Sequence, residues 1–163
     1  MRTQKARVLV FIGTAIVFLC AASLVRADSD LQTVLSDQHN AGPVETFIRY
    51  IRFAYTACQL RMQTELVRQQ ASVMLGQAHL NSEPWDIIRR DKEDAVSLYQ
   101  AAKQKLSKKP DALGALKELY VYWRASMELL APSAEEREPT YKLRTDERWA
   151  GIVERQNKLE IEL

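Results

Sequence analysis

Nucleophilic catalysis needs a nucleophile, a base and a group that orients the base, and histidine is the usual base. The chain has two histidines, His39 and His79. The first lies in a polar stretch and the second near the end of an apolar-periodic one. Neither falls on an inward-facing row, so neither is placed for catalysis. Of the two cysteines, Cys20 and Cys58, the second sits between Tyr55 and Met62 on an inward row. There it is expected to be a small apolar filler of the core. Bridging two chains would require it to be exposed, and activation as a thiolate would require a neighbouring base or cation, for which Arg61 is the near candidate in sequence.

Metal and phosphate chemistry have no framework here. No Glu-x-x-His, His-Glu-x-x-His or Cys-x-x-Cys occurs, and Gly42, Gly76, Gly114 and Gly151 are scattered singly. No metal, cofactor or catalytic residue is therefore assigned. The carboxylate pairs Glu93-Asp94, Glu135-Glu136 and Asp146-Glu147 are adjacent in sequence and lie among Lys and Arg. Adjacent residues on a helix point in different directions, so these pairs, like the run Arg89 to Asp94, read as solvated faces.

Two groups of residues could bind rather than catalyse. Arg49, Tyr50, Arg52 and Phe53 combine cations with aromatic rings, and Tyr50 and Phe53 fall off the inward row. They form a candidate interaction surface, with packing against the chain upstream (Leu31, Val34, Leu35) as the plainer explanation. Tyr99, Tyr120, Trp123 and Trp149 could line a space between helices for a small apolar or aromatic ligand, although a bundle core uses the same residues.

The elements that carry these groups are helical. From Val44, apolar residues recur at 48, 51, 55, 58, 62, 66, 73 and 80, with Gln69 and Gly76 filling the missing turns. Ten steps over 36 residues give the 3.6 period of a straight α-helix. The pattern predicts one helix of ~57 Å at 1.5 Å per residue, with any bend at Gln69-Gln70 or Gly76. Ser82 and Pro84 open a second helix running to about Ser107, with Ile88, Ala95, Leu98, Tyr99, Ala102 and Leu106 on one face. Lys103, Lys105, Lys108 and Lys109 at its end complement the negative end of the helix dipole. Pro110 opens a third, with Leu113, Leu116, Tyr120, Trp123, Met127 and Leu130, and it ends before Pro132. After a Ser133-x-x-Glu136 capping spacing, a fourth from about Thr140 to Glu160 carries Trp149, Ile152, Val153 and Leu159, interrupted by Gln156.

No segment alternates like a strand. Short connectors place consecutive helices antiparallel, so the fold class is all-α: an up-and-down bundle of about four helices over residues 43–163. The first helix is longer than its neighbours, and its overhang is expected to be apolar surface that a partner or the upstream chain covers.

Ahead of the bundle, residues 1–7 carry three positive charges and no acid, and Val8 to Val25 runs for 18 residues without a charge. This is the layout of an export signal, with cleavage expected after Ala27 and a polar, partly disordered segment at 28–42. An uncharged run of this length is also at the lower edge of a membrane span, so the alternative is an uncleaved inner-membrane tether through residues 8–25 with the body in the periplasm. Acylation of Cys20 is disfavoured by the bulky Val17-Phe18-Leu19 before it. Arg2, Lys5, Arg7 and Arg26 fall in the leader, leaving 19 basic against 21 acidic residues in the body. The pI near 8.5 is thus largely the leader's and gives no reason to expect nucleic acid as a partner. One cysteine in the body and no Asn-x-Ser/Thr acceptor fit a bacterial envelope protein. The expected function is non-enzymatic: an exported, periplasmic bundle that contacts an envelope protein, with carriage of a ligand between helices as the alternative.

Overall fold

A computed structural model describes residues 41–74, 83–133 and 135–163. It contains α1 (Pro43–Met74), α2 (Glu83–Lys105), α3 (Pro110–Glu128) and α4 (Glu138–Glu162). These form the expected all-α up-and-down bundle. Every helix starts on proline chemistry: Pro43 and Pro110 are the first helical residues of α1 and α3, and Pro84 and Pro139 the second residues of α2 and α4. A first-turn residue has no intrahelical acceptor for its N–H, so proline there loses no hydrogen bond and presets φ. Glu45, Asp111 and Glu138 add negative charge to first turns, and Lys103 and Lys105 add positive charge to the last turn of α2.

The helices form a ring in chain order. The α1–α2 and α3–α4 contacts are the most extensive, α2–α3 and α4–α1 close the ring, and α1 also reaches α3 across it. Val44, Ile48, Ile51, Tyr55, Cys58, Met62 and Leu66 of the predicted α1 row are all buried. The buried arc of α1 is wider than this row and includes Phe47, Tyr50 and Ala54, because α2 and α4 flank it on both sides. Val73, placed in the same row by its spacing, is 76% exposed. Burial on α1 stops at Leu66; the remaining two turns are largely exposed, although the Gln70 amide donates to the Glu136 carbonyl in the turn before α4 at 3.2 Å.

The core is aromatic at its centre. Phe47 packs against Tyr99 and Tyr120 with ring centroids at 6.0 and 6.1 Å, and Tyr99 stacks on Tyr120 at 4.1 Å. Trp123 is fully buried, and its indole N–H donates to the Ile51 carbonyl at 2.9 Å. The α1–α4 seam is laced with polar bonds. The Tyr55 hydroxyl donates to the Thr145 carbonyl at 2.9 Å, the Tyr141 hydroxyl to the Gln59 carbonyl at 3.3 Å, and the Gln63 amide to Glu138 at 2.9 Å.

Among the described residues no helix is long and apolar enough to cross a membrane. This corrects the expected inner-membrane tether: residues 8–25 lie outside the described residues, and none of the four helices takes that role. The leader at 1–27, the polar segment up to residue 40, His39, His79, Gly76 and Ser82 also lie outside them.

Candidate functional site

The outward face of α1 and the middle of α4 enclose an open hollow of about 330 Å³ lined by Arg49, Arg52, Phe53, Thr56 and Trp149. Three of its five residues belong to the surface predicted from sequence. Steps of three and four bring Arg49, Arg52, Phe53 and Thr56 to one side of α1. Arg49 pairs with Glu45 one turn back, and both are about half exposed. The Arg52 guanidinium lies 5.9 Å from the Trp149 ring centroid, and that ring stacks on Tyr55 at 5.7 Å. A cation over a ring on a fixed support makes a surface that is apolar and positive at once. The hollow is wide and shallow, so it suits one or two side chains of a partner better than an enclosed small molecule.

Tyr50 does not belong to this surface. Its side chain is fully buried and its hydroxyl donates to the Asp91 carbonyl at 3.2 Å, with burial pushing its acidity far above the ordinary tyrosine range. Its place off the core row left it either to a binding surface or to packing against the upstream chain; the residue that packs there is Asp91 of α2.

The four aromatics of the alternative ligand site do not converge. Tyr99, Tyr120 and Trp123 stack in sequence, with Tyr120 and Trp123 at 6.4 Å, and the 4.1 Å between the first two leaves no room for a ligand between their rings. Trp149 lies apart from them, against Tyr55 and in the hollow.

A second group was missed by sequence reasoning. The buried Cys58 thiol donates to Asp91 Oδ2 at 3.1 Å, and Asp91 itself is only 6% exposed. Cys58 therefore fills the core as expected but is also a hydrogen-bond donor. Asp91 was read as part of a solvated run, and the structure turns it inward while Arg89 and Arg90 stay in solvent. Burial raises the Asp91 carboxyl above its usual range, partly offset by the thiol and by Arg61. Burial and the carboxylate together push the thiol far upward, which keeps it protonated and makes it the reverse of an activated nucleophile.

Glu136 is likewise not on a solvated face. Its carboxylate accepts from Arg144 at 2.8 and 2.9 Å and from the Ser133 N–H at 3.2 Å, which is the capping-box contact made in a turn. The Arg144 guanidinium also reaches the Leu129 and Ala131 carbonyls, covering the end of α3. Among the described residues no cluster of His, Cys, Asp and Glu could hold a metal ion.

Comparison of the chain with protein-family models, with curated proteins and with solved structures finds no match.

Proposed function

We propose that this chain is an exported, non-enzymatic helical bundle of the bacterial envelope that works by protein–protein contact, through the hollow formed by Arg49, Arg52, Phe53, Thr56 and Trp149. The observation that carries the reading is that hollow: two arginines and two aromatic rings meet at the surface of a bundle whose other aromatic residues mostly pack inside. Such anchors dominate the energetics of protein contacts. Export and periplasmic location rest on the sequence of residues 1–27, whose charge-then-apolar layout supports them. Carriage of a ligand gains nothing from the stacked Tyr99, Tyr120 and Trp123.

The test is the triple variant Arg49→Glu, Arg52→Glu and Phe53→Ser, made in the full chain and cross-linked in cells. The expected outcome is loss of a wild-type partner with the helical circular dichroism unchanged. Retention of every wild-type partner by the folded variant would sink the proposal. The mass of the protein recovered from the envelope is expected to match a chain beginning at Asp28.

A further inference from the structure

Whatever settles in the hollow must also cover Arg52. This side chain is exposed, and its guanidinium lies 5.9 Å from the centre of the Trp149 ring. Among the described residues no carboxylate lies within ion-pair distance of it. The other cation of the lining, Arg49, already has Glu45 as its partner one turn back. Asp146, three residues before Trp149 and so on its side of α4, is held by Lys142 at 3.7 Å and by the Gln59 amide at 3.2 Å. The Thr56 hydroxyl donates to the Arg52 and Phe53 carbonyls at 3.0 Å, so its hydrogen is used within α1. The lining therefore holds two cations and no acid, and one of those cations lacks a counter-ion among the described residues.

The chemistry of the occupant follows from desolvation. A guanidinium keeps its charge at every accessible pH. Burying it beneath a partner that supplies no acceptor leaves an uncompensated charge, a penalty that outweighs the gain from covering Phe53 and Trp149. A neutral carbonyl would satisfy one N–H and leave the charge. A carboxylate compensates both, because it accepts two N–H bonds from the guanidinium fork at once and carries the opposite charge. An apolar or cationic side chain seated alone in the hollow does neither.

We infer that the hollow receives an Asp or Glu side chain of the partner protein, paired with Arg52 and set beside an apolar residue that covers Phe53 and Trp149. This rests on the proposed contact at the hollow and names the chemistry that fills it. A hollow of about 330 Å³ has room for those two side chains. The carboxylate supplies the specificity for this surface, and the apolar neighbour supplies the packing around it.

Arg52→Lys in the full chain tests the pairing directly, because a zero-length carbodiimide joins an amine, but not a guanidinium, to a carboxylate that touches it. In a freshly prepared envelope fraction, position 52 is expected to form an amide with an Asp or Glu of another protein. The linked peptide is expected to carry an apolar residue within two positions of that acid. The yield is expected to be at least tenfold above that of Arg137→Lys, an exposed control at the start of α4. A photo-cross-linking residue at Thr56 reads the contact independently of charge. It is expected to link to the same segment, and at least tenfold less when Arg52→Glu is added. Coupling of position 52 only to a second copy or to its own chain would overturn the inference, as would no amide or a yield no higher than at Arg137→Lys. Should Thr56 still give its product in those cases, the hollow remains a contact whose occupant is not acidic. No product at Thr56 would end both readings.

Discussion

An ionised carboxylate inside a bundle is costly unless its surroundings compensate, and Asp91 is offset only in part, by the Cys58 thiol and by the charge of Arg61. In the folded chain it holds its proton to higher pH than in the unfolded chain, where the value is near about 3.9. Between those two values the folded state binds more protons, so the Asp91 contribution to stability falls as pH rises through that window and its penalty is fully present above it. Asp91→Asn keeps an oxygen to accept from Cys58 and removes the charge. It is expected to stabilise the protein at pH 7 by on the order of 1 kcal/mol, and by much less at pH 3. Urea titrations at both pH values check this, and an equal gain at both would show that charge burial is not the source. Gly151 gives a second prediction at this scale. A Cβ there would lie 2.6 Å from Cζ of Tyr122, whose ring lies under the Arg155 guanidinium at 3.8 Å. Alanine usually stabilises a helix interior relative to glycine by about 1 kcal/mol, but Gly151→Ala is expected to lower the melting temperature. In a Tyr122→Leu background the same change is expected to raise it. Neither Asp91 nor Gly151 could be singled out from sequence. The burial of one and the close approach to the other are made by residues on neighbouring helices, while the local charge run and the lone glycine look ordinary.

Periodicity did identify the helices, because each must bury a stripe and a stripe repeats at the helical period whatever it packs against. It failed at the width of the stripe. On α1 a one-row reading left Tyr50 outside and carried Val73 inside, and the structure reverses both. Arg49, Arg52 and Phe53 stood out because two cations lie beside an aromatic ring that falls off the core row; Thr56 and Trp149 complete the hollow from positions with no such signal. The turn between α3 and α4 shows the same limit. Its Ser-x-x-Glu spacing was readable, but its partner Arg144 comes from the first turns of the next helix. Arg144 holds the Glu136 carboxyl below its usual range, so this pair adds stability above the unfolded carboxyl value, about 4.3, and loses it as pH falls through the lower folded one. Arg144→Met removes the donor to Glu136 and to the Leu129 and Ala131 carbonyls. It is expected to destabilise at pH 7 by about 2 kcal/mol, shrinking toward acid as Glu136 protonates. A loss independent of pH in denaturant titrations would assign the effect to the carbonyl bonds and the arginine stem rather than to the pair with Glu136.

The ring of helices is unequal: α1 pairs broadly with α2 and α3 with α4, while the α1–α4 seam relies on Tyr55, Tyr141 and Gln63 reaching across with hydrogen bonds. Short connectors in the sequence determine which helices are neighbours, but not how much surface each pair shares, which depends on side-chain volumes meeting in space. One consequence concerns the distribution of stability along α1. Up to Leu66 this helix contacts all three others, so opening it there exposes core surface shared with each of them and requires the bundle to unfold. Beyond Leu66 its apolar residues, Val67, Val73 and Met74, are exposed, and little tertiary burial resists fraying in that last stretch. Native-state hydrogen exchange on the isolated chain is therefore expected to show amides from Ile51 to Met62 exchanging only at the rate of global unfolding, and amides from Gln70 to Met74 at least a hundredfold faster. Uniform protection from Ile51 to Met74 in the isolated chain would contradict this, because it would mean that contacts such as that of Gln70 with the Glu136 carbonyl hold the last stretch as firmly as the core holds the rest.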